Sequence, residues 1–193
     1  MSNSRAAAAT TTTRPDTLAG TGATVGAVLF ATALTGAAAQ VSVTLPGTMI
    51  PFTLQPLAVL LSGAVLGARL GAASQALYLV AGIVGASMFA WSPVLLPGAA
   101  RLLGPTGGFL MAYPAAAFVA GLLVERGLGH RVVGAAVAML AGASVIYLGG
   151  VSWALLTLPG ASLAAFLPYA ASDLVKVLAA APAVPALRRV LGR

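Results

Sequence analysis

Cysteine is absent from this chain, and histidine occurs once, at His130. Without thiols there is no disulfide framework and no thiolate metal site, and one imidazole cannot form a histidine metal cluster. Carboxylates are almost as scarce: Asp16, Glu125 and Asp173 are the whole set. Charged residues of both signs make up 7% of 193 positions, against roughly 25% in soluble domains. Ten basic and three acidic side chains cannot cover the surface of a soluble fold of this length. Hydrophobic residues are abundant instead, at 60% of the chain with a mean hydropathy of +1.01. This composition belongs to a polytopic membrane protein. It excludes a water-soluble globular domain and a disordered chain. A nucleic-acid binder is excluded as well, because the basic residues stand singly or in pairs between apolar runs, not in a stripe.

Residues 1–17, rich in Ala, Thr and Ser with Arg5, Arg14 and Asp16, are expected to form a disordered cytoplasmic tail. Apolar length, judged against the roughly 20 residues a helix needs to cross, then marks six spans. They are Leu18–Ala39, Leu54–Ala68, Gly71–Ala90, Gly107–Val124, Val132–Leu156 and Ala164–Leu187. The second is short and carries Gln55 and Pro56 near its start. Ala37-Ala38-Ala39-Gln40 superficially resembles a signal-peptidase site, but the stretch before it is long enough to span and is read as a helix. Residues 188–193 make a basic tail. The expected fold is therefore an all-α membrane bundle over residues 18–187.

Charge sets its orientation. With the N-terminus inside, the cytoplasmic segments hold Arg5, Arg14, Arg69, Arg126, Arg131, Arg188, Arg189 and Arg193, and the outer loops hold Arg101 alone. Eight against one predicts that both termini are cytoplasmic. The two outer loops of interest, Gln40–Thr53 and Trp91–Thr106, are apolar and proline-bearing, unlike ordinary water-facing loops. They either pack on the bundle or form a lid over an outward-facing pocket.

Within the sixth span, Asp173 and Lys176 lie about 14–18 Å below the outer end, near mid-bilayer. Their i,i+3 spacing puts them on one face, which Tyr169 shares one turn earlier. A charge at that depth is costly unless paired or wetted, so the pair is a functional candidate, set against the alternative that it only pins the bundle. Tyr147 in the fifth span could face a pocket, whereas Trp153 suits core packing. The chain lacks the parts of an enzyme. An aspartyl protease needs two membrane carboxylates, no His-Glu-x-x-His zinc motif is present, and no Ser–His or Cys–His pair exists in the spans. GPTGG at Gly104–Gly108 is followed by Phe109 and Leu110 where a phosphate-binding loop needs Lys and Ser or Thr, so the chain is not an ATPase. In the first span Ala19, Ala23, Ala27 and Ala31 recur every four residues. Small side chains at that spacing allow a second helix close approach, whether from this chain or from a partner.

Five motifs in order carry a family resemblance: PFTLQ at Pro51–Gln55, the Gly/Leu-rich run that follows, LLGPTGGF at Leu102–Phe109, YLGGVSW at Tyr147–Trp153 and PYAASDLVK at Pro168–Lys176. Together, over about residues 18–187, they resemble BioY, the biotin-binding membrane subunit of energy-coupling-factor (ECF) uptake transporters. Gly85-Ala86-Ser87-Met88-Phe89 departs from the family's Gly-x-Pro-Val-Phe-like stretch by lacking the proline. The resemblance implies a six-helix S-component bundle in a bacterial cell membrane with a biotin site open to the outside. It implies partnership with a transmembrane coupling subunit and two ATPases, and no cofactor, metal or nucleic acid. Asp173, Lys176 and Arg101 match the family's ligand-binding positions, and Gln55, Tyr147, Ser87 and Tyr169 join them as candidates. The Ala19–Ala31 stripe becomes the candidate coupling surface. Biotin's chemistry suits this set: Asp173 can accept from the ureido N–H groups, and Lys176 and Arg101 can meet the carboxylate or the carbonyl. Which cation meets which end stays open at this level. The alternatives are an S component for another vitamin and a self-sufficient secondary carrier of a small carboxylate. The absence of a detectable inverted repeat weighs against the carrier.

Overall fold

A computed structural model describes residues 16–43, 50–92 and 95–192. Most of the expected N-terminal tail, residues 44–49 of the first outer loop, Pro93, Val94 and Arg193 lie outside the described residues. The chain folds into helices α1 (Asp16–Gln40), α2 (Gln55–Leu66), α3 (Ala68–Ile83), α4 (Ala100–Leu103), α5 (Gly107–Glu125), α6 (Val132–Thr157), α7 (Leu167–Ala180) and α8 (Ala183–Val190). A two-residue ribbon, β1 (Ser42–Val43) and β2 (Phe52–Thr53), pairs Ser42 with Thr53 and Val43 with Phe52.

Helix boundaries depart from the apolar-length reading where glycine or proline intervenes. The first helix starts at Asp16, so residues 16 and 17 belong to it and not to the tail. Leu54–Ala68 narrows to the 12 residues of α2, about 18 Å of helix against a hydrocarbon core of about 30 Å. It stops at Gly67, whose φ of 89° is a conformation that L side chains rarely adopt. The expected third span, Gly71–Ala90, begins earlier at Ala68 and ends at Ile83, before Gly85 at φ 98°. Residues 84–90 form turns instead of a last helical stretch. The expected sixth span, Ala164–Leu187, is broken. A 3₁₀ turn (Leu163–Phe166) leads into α7, and Ala181 and Pro182 separate α7 from α8. Pro182 and Pro185 remove two backbone donors there, which discourages a continuous helix. Among the described residues four segments are long and apolar enough to cross a membrane: Gly20–Gln40, Gly107–Glu125, Val132–Thr157 and Leu163–Ala180.

Small residues let the helices meet backbone to backbone. A Cβ on Gly63 of α2 would lie 2.1 Å from the Ala117 carbonyl oxygen of α5, and one on Gly121 of α5 would lie 2.4 Å from the Ala68 nitrogen of α3. Without a hydrophobic drive between helices in lipid, such close packing supplies much of the association. Helices α2, α3, α5 and α6 enclose a core around Val59, Leu60, Tyr78, Met139 and Ile146. Helix α1 is tied on by polar bonds. Fully buried Gln75 donates through Nε2 to Thr35 Oγ1 (3.1 Å) and Ser62 Oγ (2.9 Å), joining α1, α2 and α3. One end of the bundle is held by charge. Glu125 Oε1 accepts from the Ala68 N–H (3.0 Å), and Arg188 Nη1 donates to the Ala64 and Val65 carbonyls (3.2 and 3.4 Å). These satisfy backbone groups that the α2–α3 break leaves without helical partners. Arg69 in the first turn of α3, Arg126 and Arg131 between α5 and α6, and Arg189 in α8 gather at this same end, and the ribbon lies at the other.

Candidate ligand-binding site

Beneath the ribbon lies a cavity of about 70 Å³. Its walls come from β2, α2, the Phe89–Arg101 connection, α5, α6, the 3₁₀ turn and α7. Most of the lining is apolar, with Phe52, Phe89, Phe109, Leu110, Ile146 and Phe166 contributing rings and branched chains. This is the usual character of a small-molecule site, in which a few polar groups fix orientation.

The polar groups fall into two sets. On α7, Asp173 is buried and Lys176 lies one turn on, with Nζ 2.8 Å from Asp173 Oδ1. Lys176 Nζ also donates to the Thr53 carbonyl at 2.7 Å, so the ion pair is bonded to the ribbon. Tyr147 of α6 donates to Asp173 Oδ2 at 2.7 Å. Tyr169 stacks on Phe52 with ring centroids 4.0 Å apart and donates to the Ile50 carbonyl at 2.6 Å. Four expected residues thus converge, three of them linked through one carboxylate. Both readings of the Asp173–Lys176 pair find support, because it is a mutual ion pair and also lines the cavity.

The second set surrounds Arg101, which only the tertiary fold buries. Its exposure is 5%, in a segment that the sequence presents as an outer loop. Its Nη2 donates to the Ala90 carbonyl, while Nη1 is buried with no hydrogen-bond partner. Burial lowers its pKa from the ordinary arginine value, and among the described residues no carboxylate stands beside it to compensate. Thr106 Oγ1, on the same lining, is likewise buried and unpartnered. Gln55 completes the set: its Nε2 donates to the Tyr78 hydroxyl at 2.7 Å, which donates to the Met88 carbonyl at 3.1 Å. The Arg101 loop is anchored from α6 by Trp153 Nε1, which donates to the Gly104 carbonyl at 3.0 Å. Trp153 therefore holds the loop as well as packing. GPTGG is a packing turn here, since a Cβ on Gly107 would lie 1.8 Å from the Leu102 carbonyl oxygen and one on Gly108 would lie 2.2 Å from Trp153 Cβ.

Ser87 is not brought to the cavity. It is exposed, and its backbone carbonyl accepts from Gln40 Nε2 at 3.2 Å. The alanine stripe is divided along α1: Ala23 is exposed, Ala27 half-buried and Ala31 buried. The side chain of Ala19 lies outside the described residues. Cβ atoms on Gly20, Gly22 and Gly26 would meet nothing within 4 Å, so this half of α1 faces away from the bundle. Sequence reasoning missed Thr106, Tyr113 and the phenylalanines of the lining. Thr106 sits within GPTGG, which the sequence distinguishes only by its failure to match a phosphate-binding loop, and Tyr113 within an unbroken apolar run. Among the described residues no three His, Asp or Glu side chains converge to hold a metal ion.

The described residues thus form a helical membrane bundle around one largely apolar cavity with a few charged and polar groups on its wall, an arrangement suited to holding a small molecule. The fold matches a solved structure, the S-component for biotin from an ECF-type ABC transporter, with a TM-score of 0.77 at 23% identity over 90% of this chain and 94% of that one. The chain belongs to the BioY family, whose model matches residues 10–193. It is 39% identical to a probable biotin transporter BioY of Pyrococcus horikoshii over 87% of this chain and 96% of that protein. To the biotin transporter BioY of Thermotoga maritima it is 34% identical over 72% of this chain and 81% of that one. It is a multi-pass protein of the cell membrane and a transport subunit, not an enzyme.

Proposed function

We propose that this chain captures biotin from outside the cell and delivers it inward as the substrate-specific subunit of an ECF-type ABC transporter. The observation that carries the reading is a single cavity with a hydrogen-bonded Asp173–Lys176–Tyr147 cluster and, elsewhere on its wall, a buried guanidinium lacking a counter-charge. Biotin has complementary parts: a urea with two N–H donors, an apolar thioether ring and a carboxylate. Asp173 accepts from the urea, and the rings of the lining cover the bicycle. Arg101 meets the carboxylate, because Lys176 is already neutralised by Asp173 whereas Arg101 Nη1 has no partner. Gln55 and Tyr169 shape the wall between them. With both termini cytoplasmic, α1 runs outward and the ribbon lies on the outer side, so the cavity loads from outside.

Energy comes from elsewhere, since the chain has no phosphate-binding loop. In this reading a transmembrane coupling subunit with two ATPases supplies it, and the outward half of α1 around Ala23 and Ala27 is the contact. The test is co-purification of labelled biotin with the detergent-extracted protein, followed by competition with biotinamide. Retention of biotin, with Arg101→Ala weakening biotin about tenfold or more and biotinamide far less, supports the assignment. A wild-type protein that retains no biotin overturns it.

A further inference from the structure

Tyr113 stands on α5 with its ring beside Tyr78, centroids 6.3 Å apart, and only 4% of its surface exposed. Buried phenols ordinarily find a hydrogen-bond partner. The other three tyrosines do so: Tyr78 donates to the Met88 carbonyl, Tyr147 to Asp173 and Tyr169 to the Ile50 carbonyl. The Tyr113 hydroxyl has no such partner among the described residues. Nor is it one of the sealed, unpartnered polar atoms, which are Gln75 Oε1, Arg101 Nη1 and Thr106 Oγ1. Tyr113 is part of the cavity lining, so a molecule bound there is the partner left for its O–H. Phenylalanine would fill the same apolar space without an unmatched polar atom, so packing does not account for the hydroxyl.

Position gives the hydroxyl a chemical task. Tyr113 shares the lining of one cavity with Asp173 and Tyr147. The two Asp173 oxygens take Lys176 and Tyr147, and a carboxylate with about four lone-pair sites can accept further donors. This part of the wall thus offers acceptors for N–H groups and, close by, one free O–H donor for a neighbouring acceptor. A cyclic urea presents that sequence of groups, N–H beside C=O.

We propose that Tyr113 donates to the ureido carbonyl oxygen of the ligand and sets a preference for an oxo ring over a thio ring. The inference rests on the biotin reading above. The experiment measures binding of labelled biotin, and of 2-thiobiotin by competition, to purified wild type and Tyr113→Phe, with ligand-free thermal unfolding of both. A thiocarbonyl is a poor acceptor, so the bond exists mainly for biotin. The expected result is a loss of biotin affinity of about threefold to tenfold and a change for 2-thiobiotin below about twofold. Ligand-free unfolding of the variant occurs at or above the wild-type temperature, because no protein partner is lost. Equal losses for both ligands, or a fall in ligand-free stability, would make the hydroxyl structural and overturn the proposal. Unchanged biotin affinity in the variant overturns it while leaving the biotin reading intact. A wild type that binds no biotin removes both.

Discussion

Neutralising Asp173 alone, and then together with Lys176, separates an ion pair that holds the bundle from one that reads a ligand. In Asp173→Asn the amide oxygen can still accept from Tyr147, but Lys176 loses its counter-charge and keeps only the Thr53 carbonyl. Breaking a buried pair by removing one partner costs about 3–5 kcal/mol. The Lys176 side chain is 19% exposed, so the lower end, about 3 kcal/mol, is expected. Adding Lys176→Met removes the stranded charge and should restore stability to within about 1 kcal/mol of wild type. Binding follows a different course. The charge-assisted hydrogen bond from the ligand to Asp173 is worth about 1.5–3 kcal/mol, a loss of roughly 10- to 150-fold in affinity. The double variant therefore regains stability without regaining biotin. Thermal unfolding in detergent reads the first quantity and equilibrium binding of labelled biotin to the folded variants reads the second. Wild-type affinity in the double variant would show that the pair is structural and refute the site assignment.

Three other outcomes bear on orientation, coupling and packing. Single cysteines at residues 3 and 192 should resist a membrane-impermeant thiol reagent in intact cells, and labelling of either one would overturn the six-span reading with both termini inside. Ala23→Trp with Ala27→Trp should abolish assembly with the ATPase module, measured by co-purification, and leave biotin binding at wild-type strength; intact assembly would make that face of α1 a lipid surface. Gly63→Val puts atoms into the Ala117 backbone, where even a Cβ would sit 2.1 Å from a carbonyl oxygen. It should destabilise the bundle by about 1–3 kcal/mol or more in thermal unfolding, and a neutral result would show that α2 and α5 can separate freely.

Membrane residence, helical class and the approximate span positions were legible in the chain because lipid imposes a rule that reads directly on sequence. A spanning segment must satisfy its own backbone hydrogen bonds and present apolar side chains over a set length. The long spans α1, α5 and α6 came out nearly as apolar length places them. The Asp173–Lys176 pair was legible for a related reason, since charge inside an apolar helix is rare enough to notice without any structure. Arg101 was legible as a residue but not as a buried one. Its surroundings come from Ala90 and from the loop that Trp153 anchors, and these contacts are set by close approach of distant segments. Helices end short of their apolar runs at Gly67, before Gly85 and at Pro182; these glycines and prolines stand in the sequence, but only the tertiary structure decided which of the many glycines take a positive φ and break a helix. It also placed Ser87 outside the cavity and Thr106 and Tyr113 inside it. Composition counts hydroxyls, but only the packed bundle determines which of them are left without a partner.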